Sequence, residues 1–412
     1  MQLYCPERKT VLETRPDALA AGAEGRVFEV PGEPGILAKV FLDPNKHDRR
    51  EKIDALIANP FRDAPSPDGH RRFAAPQEIL IDPKTGRFAG YLMPQVNGQP
   101  LGEFIDPAGS MFRGKALRVK LGIALAELIA EVHRHQLMIV VGDLNPQNLL
   151  GDAQARVALI DLDSVQLTTV HGRTYLCPVG TDFYLPRELL GQDLSTVRRT
   201  PEHDRFALAV ILFRLLFDGW HPFDATADPQ RNPSSRIRAG DWPHAPGSKY
   251  LPPPSAPPFG GLPNSVQRLF VRAFFEGHWD PTTRPTAEEW VDELSRNERQ
   301  LAKARPAMVR VPAAAPTGQS LTAGSGRPLS LAGTVLLALV GSALGLFAAW
   351  WIGSGLSLSA PPSPASGAYL QAPPQAFGDG TQTPRYWQHV QDGGDAPLSF
   401  DSLITEPSRG EP

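Results

Sequence analysis

Four short apolar stretches near the front of the chain, EGRVFEV, GILAKVF, QEILID and GRFAGYLMP, are bounded by Gly or Pro and read as strands. The turn PKTG joins the last two. Between the two pairs, HDRREKIDALIANP places Ile53, Leu56 and Ile57 on one face with Pro60 past the end, which predicts a helix. Beyond Gly98 the pattern changes to helices: KALRVKLGIALAELIAEVHRHQ, HDRFALAVILFRLLFDG and TAEEWVDELSRNERQLA. In the last of these Thr286 stands as N-cap with Glu289 three residues on, a capping box. A small β-rich lobe therefore precedes a larger helical lobe, and a cleft between lobes is a natural place for a ligand.

One later stretch is apolar throughout. LSLAGTVLLALVGSALGLFAAWWI, Leu329 to Ile352, carries no charge, and none occurs between Arg327 and Asp379. As a helix it would be about 36 Å long, enough for a hydrocarbon core of about 30 Å. Trp350 and Trp351 sit at one end, where an aromatic belt belongs, and the basic residues cluster before the stretch. This predicts one span in the inner (plasma) membrane, with the first 328 residues cytoplasmic and the tail extracytoplasmic. Gly341 and Gly345 form a small-xxx-small pair that offers a route to a homodimer. Residues 301–328 read as a juxtamembrane linker, and the Pro-, Gly- and Ser-rich 353–412 as a disordered tail.

Composition narrows the classes. A formal net charge of −3 leaves no nucleic-acid footprint. Cys5 and Cys177 lie far apart with no metal-ligand spacing, so neither a zinc site nor a disulfide framework is indicated, which suits a reducing compartment. The opening MQLYCPERKT has no apolar signal-peptide centre.

Candidate chemistry appears at five places in chain order. AAGAEGRVF sets Gly22, Gly25 and Val27 on a β-turn-β, where glycines let backbone N–H groups approach phosphates; an ordinary hairpin has the same composition. Lys39 lies within the strand LAKVF, either on the inner face against a carboxylate or phosphate, or facing water. VVGDLNPQNLL puts Asp143 and Asn148 inside an apolar run, and LIDLDS follows with Asp161 and Asp163. Asp143 is suited to accept a proton from an attacking hydroxyl, and Asn148 and Asp161 supply oxygen ligands of the kind Mg²⁺ prefers. Phosphoryl transfer needs little more than such positioning and charge neutralisation. The fifth place is VGTDFYLPREL, then EHDRFALAV and DPTTRPTAEEW.

In this order the segments resemble the eukaryotic-like (Hanks-type) Ser/Thr protein kinases, in a bacterial, membrane-anchored version, over residues 10–298 or so. The resemblance implies an α+β bilobal kinase fold, with an N-lobe over 1–98 and a C-lobe over 99–300, followed by the transmembrane helix at 329–352. It implies ATP and Mg²⁺ as cofactors, protein substrates and a role in signalling. Lys39 matches the phosphate-binding strand lysine and Glu51 its helix partner; Asp143 matches the catalytic aspartate, and Asn148 and Asp161 the metal ligands. Gly22, Gly25 and Val27 fall in the nucleotide loop, with Met93 and Val96 at the hinge. Glu188 and Arg284 match a buried structural pair, and Asp204 the helix aspartate that supports the catalytic loop. That set favours a protein kinase over small-molecule kinases of the aminoglycoside type.

The chain departs from the family pattern at four points, the first being Ala20 where the first loop Gly would stand. Gly142 stands before Asp143 in place of Arg, so switching by activation-loop phosphorylation is less expected. Asn145 replaces a lysine near the transferred phosphate, and Asp163 replaces Gly. These changes leave an alternative open: a catalytically weak or inactive pseudokinase acting as a membrane-tethered ATP-binding scaffold. Thr168, Thr169, Thr174 and Thr181 are available hydroxyls in the activation segment.

Overall fold

The computed structural model describes residues 1–46, 48–106, 114–226 and 232–303. The front of the chain forms a seven-stranded antiparallel sheet in the order β2-β1-β6-β7-β5-β4-β3. Its strands are β1 (Gln2–Cys5), β2 (Thr10–Glu13), β3 (Ala20–Ala21), β4 (Gly25–Glu29), β5 (Ile36–Phe41), β6 (Glu78–Ile81) and β7 (Phe88–Pro94). The stretches predicted as strands form β4 to β7. The hairpin β1–β2, which the sequence did not suggest, extends the sheet by pairing Tyr4 with Ile81. On the sheet's outer face its Leu3, Cys5 and Leu12 join Ala38, Leu80 and Leu92 in a small apolar cluster.

Strand alternation decides where Lys39 points. Ala38 faces the outer cluster, so its neighbour Lys39 faces the other side of the sheet, with Phe41, Tyr91 and Met93. Lys39 is in register with Val27 on β4 and Tyr91 on β7. The contact between β5 and β7 is unusually close here. A Cβ on Gly90 would lie 2.0 Å from the Lys39 carbonyl oxygen, so only glycine fits.

Helix α1 (Arg49–Ala58) follows β5, with Lys52, Ile53 and Leu56 on its buried face. After a short α2 (Gly102–Ile105), α3 (Lys115–His133) and α4 (Pro201–Leu216) supply much of the main apolar core. A capping box between Thr200 and His203 starts α4. Further on come α5 (Pro233–Ala239), α6 (Asn264–Val271) and α7 (Ala287–Lys303), the last packed on α3. Thr286 and Glu289 form the expected capping box at the start of α7, with N–H bonds of 2.8 and 3.3 Å.

The expected fold class requires correction in its final element. Among the described residues no helix is long and apolar enough to cross a membrane. The longest, α3, carries Lys115, Arg118, Lys120, Glu127 and Glu131 and packs against α4 and α7 as a core helix. The predicted span at 329–352, with Gly341 and Gly345, lies outside the described residues, as do nearly all of the linker and the tail.

Candidate active site

Two polar loops and one strand lysine meet beside the inner face of the sheet. The catalytic-type loop runs from Val140 into β9 (Leu149–Gly151), which pairs with the short β8 (Gln99–Pro100) on one side and with β10 (Val157–Leu159) as an antiparallel hairpin on the other. Because Leu149 lies opposite Leu159, Asn148 and the segment starting at Ile160 emerge at the same end. The Ile160 N–H donates to the Asn148 carbonyl at 3.0 Å and ties them together. Asp161 follows with a left-handed backbone, φ +62°. Its carbonyl accepts from the Ser164 N–H at 3.1 Å and the Ser164 hydroxyl at 2.8 Å, which over-determine a conformation unusual for any residue but Gly, Asn or Asp.

Asp143 is held from several sides. The Thr181 hydroxyl donates to Oδ1 at 2.9 Å, and the Asn148 amide donates to the Asp143 carbonyl at 3.0 Å and to Oδ2 at 3.3 Å. The Asn145 amide spans the Asp143 carbonyl and the Thr181 hydroxyl, at 3.1 and 3.3 Å. Beneath the loop, Asp204 accepts from the backbone N–H groups of Val141 and Gly142 at 2.7 and 2.9 Å, and lies 3.0 Å from His133 Nε2. Deeper still, Arg284 donates to both oxygens of Glu188 at 2.7 and 3.1 Å. Burial alone would raise the Glu188 carboxyl, but Arg284 brings it below the ordinary value.

Lys39 bridges the sheet to the loop after β10. Its Nζ donates to Asp161 at 2.5 Å and to Asp163 at 2.6 Å. The Tyr91 hydroxyl donates to the same Asp163 oxygen at 2.7 Å. Burial pulls the Lys39 ammonium down, but Asp163 and Asp161 outweigh it and leave it above its usual value. Burial likewise opposes ionisation of Asp163, yet Lys39 holds that carboxyl below the usual range. The two carboxylates differ in access, with side-chain exposures of 38% for Asp161 and 3% for Asp163. Asp161 is therefore free to turn to a ligand, whereas Asp163 is a fixed anchor for the lysine.

The expected partner of Lys39 needs correcting. Glu51 points outward, 53% exposed, and pairs with Arg173 at 2.6 Å. Lys52 occupies the buried face of α1 instead. The signal was in the sequence: Lys52 lies four residues before buried Leu56, on the same helical face, and Glu51 lies five before it.

The glycines divide. A Cβ on Gly25 would come 2.7 Å from the Val40 carbonyl, so this glycine is required by strand packing. Gly22 meets nothing nearer than the Gly25 carbonyl at 3.9 Å, and its turn is open to a ligand. Glu24, in the same turn, is tied to α1 by Arg49 at 2.9 Å. Val27 and Val96 are half-buried against the main core, and Met93 is buried opposite Leu37 on β5.

Sequence reasoning missed three further residues. Thr181 is engaged with Asp143 and is more than an available hydroxyl. Tyr91 steadies Asp163. Arg199, fully buried, donates to the carbonyls of Gly142 and Val179. No local pattern marks Arg199, because its role depends on a fold in which the segment before α4 passes under the catalytic-type loop.

The donor set fits a nucleotide with a divalent metal: an amide and an accessible carboxylate on adjoining loop ends, a buried lysine, and an open glycine turn. Beside it lies a groove of about 540 Å³, lined in part by Glu103, Asp106, Asn145, Gln147, Thr181 and Tyr184.

No family model matches the chain. Among curated proteins it is 31% identical over 299 residues to protein kinase YegI of Escherichia coli K12, covering 69% of this chain and 44% of YegI. It is 32% identical over 102 residues to the serine/threonine-protein kinase sck1 of Schizosaccharomyces pombe, 24% of this chain and 14% of the relative. With SCH9 of Saccharomyces cerevisiae it shares 35% over 102 residues, 24% of this chain and 12% of the relative. The chain thus spans less than half the length of the relatives it matches. Over these stretches the chain is similar to proteins named as protein kinases.

Proposed function

We propose that this chain is a Ser/Thr protein kinase dependent on Mg-ATP. The observation that carries the reading is the Asp143 carboxylate, oriented by Thr181 and Asn148, at the loop end that also brings Asn148 beside Asp161. Mg-ATP, when bound, supplies the phosphoryl group and the metal charge that neutralises it. Asn148 and Asp161 are the residues to hold the metal, and Lys39, anchored by Asp163, faces the phosphates. Asp143 orients the acceptor hydroxyl and takes its proton as the new oxygen–phosphorus bond forms and the bond to the leaving diphosphate breaks. The groove beside Asn145 and Thr181 suits an extended polypeptide. The names of the yeast relatives support serine and threonine as acceptors.

The test is phosphate transfer from labelled ATP to a generic protein such as casein, using the full chain and its Asp143→Asn variant. Transfer should need Mg²⁺ and fall about 10²- to 10⁴-fold in the variant, with ATP affinity retained. Equal transfer by both proteins would sink the proposal.

A further inference from the structure

Lys52 is a buried cation that the proposed chemistry does not yet use. It is 7% exposed, on the face of α1 that also buries Ile53 and Leu56. Among the described residues its ammonium has no hydrogen-bond or ion-pair partner. Nor is the ammonium among the fully enclosed unpartnered polar atoms, so its tip keeps some access to solvent. A buried charge without a partner costs several kcal/mol, and it is retained where a ligand will meet it.

The neighbourhood says which ligand. Asp163 is bonded to Lys39 at 2.6 Å, and the charge of Lys52 also acts on that carboxylate. Burial lowers the Lys52 ammonium to about 8, against the pull of Cys177, Asp163, Glu24 and Asp161. Lys52 therefore lies within electrostatic reach of the acidic pair at one side and of the glycine turn, through Glu24, at the other. Lys39 and Lys52 together balance Asp161 and Asp163. Once Asp161 turns to a metal, two cations face one carboxylate, and the surplus charge is positive.

Resting on the kinase reading above, we propose that Lys52 is a second phosphate-binding lysine of the nucleotide site, working beside Lys39. Asp163 takes over the anchoring of Lys39, which frees this helix position for a cation. The added charge also offsets the one absent at Asn145.

The first test uses the unmodified full chain and an acyl-phosphate derivative of ATP. A lysine amine at the phosphates attacks the acyl carbon, an amide forms and ATP leaves. Peptide mass spectrometry should find the acyl group on both Lys39 and Lys52, each protected by excess ATP. Acylation of Lys39 alone overturns the Lys52 proposal and leaves the nucleotide site standing. Acylation of neither, with no ATP binding by calorimetry, overturns the kinase reading and this proposal together.

The second test compares Lys52→Met and Lys52→Arg in calorimetric titrations with adenosine, ADP and ATP. Loss of a charge-assisted phosphate contact should weaken ADP and ATP by roughly 10- to 100-fold, leave adenosine unchanged, and be rescued at least in part by Arg. The Met variant should also melt higher without ligand, since an unpartnered buried charge has been removed. A lower melting temperature with unchanged ATP affinity would assign Lys52 a purely structural role and overturn the proposal.

Discussion

Arg199 donates to the carbonyl of Gly142 from 57 residues further along the chain. The same guanidinium reaches the Val179 carbonyl in the activation segment. Gly142 makes room for it: with φ +77°, a Cβ there would lie 2.8 Å from Cys177 Sγ and 2.9 Å from Arg199. The Gln166 side chain closes the arrangement, exchanging two 2.7 Å bonds with the Arg199 backbone. A buried, permanently charged side chain thus holds loop and segment together, the task that an added phosphate and a loop arginine perform in phosphorylation-switched kinases.

On the kinase reading proposed above, phosphatase-treated protein should therefore keep its transfer rate within about twofold, because the segment is held by Arg199 and needs no phosphate. Arg199→Met should leave the buried Gly142 carbonyl without a donor, costing about 1–3 kcal/mol, leave the half-buried Val179 carbonyl only the Cys177 thiol at 3.4 Å, and lower kcat at least about tenfold through misplacement of Asp143. Rate measurements before and after phosphatase decide the first point, and melting curves with kcat the second. A treated enzyme that stops working would show that the arginine does not replace the switch.

Asp163 and Glu51 should separate cleanly on mutation. Asp163→Ala removes the enclosed anchor of Lys39 and strands the Tyr91 hydroxyl, so stability should fall by about 2–4 kcal/mol and KM for ATP should rise. Glu51→Ala breaks a surface pair worth about 0–1 kcal/mol, and both quantities should stay near the parental values. Chemical denaturation and ATP titration read both variants. A larger loss from Glu51→Ala would mean that the helix turns its acidic face inward when the enzyme works.

His221 gives a pH dependence of known sign. It is buried, its Nδ1 accepts from the Phe223 N–H at 3.1 Å, and its Nε2 lies 2.9 Å from the Phe183 carbonyl, so the ring is neutral with its proton on Nε2. Burial lowers it to about 3 from an ordinary 6.5. The unfolded chain therefore takes up a proton that the folded chain refuses as pH falls below about 6.5. Stability should drop through that window by about 1.4 kcal/mol per pH unit for this group, and not change on its account above it. Melting curves at pH 7.5 and 5.5 should show a smaller drop for His221→Gln than for the parent. Parallel slopes would remove His221 as the source.

What the sequence pointed to, and the structure brings together, are residues set on short, local spacing. Asp143, Asn148 and Asp161 were legible because a hairpin of fixed length separates them, and Glu188 and Arg284 because each sits in its own recognisable segment. The partner of Lys39 was not legible by resemblance: Asp163 and Lys52 reverse the polarity that the family pattern leads one to expect. Helix phase would have shown Glu51 facing out, had Leu56 been used to set it. Arg199 and Thr181 act over distances along the chain that no local pattern encodes. The expected membrane helix, inferred from hydropathy, the Trp pair at its end and the basic residues before it, lies outside the described residues.

Gly90 has a consequence for how this site tolerates change. The chain spacing that sets the reach of Lys39 toward Asp161 is a backbone-to-backbone contact, already at its limit with a hydrogen where a methyl would be. Even alanine would push β7 away from β5 and carry the lysine with it. A loss-of-function screen should thus recover Gly90 alongside Lys39 and Asp143, although it has no side chain to offer a substrate. Scored by chemistry alone, it would be mistaken for a silent position.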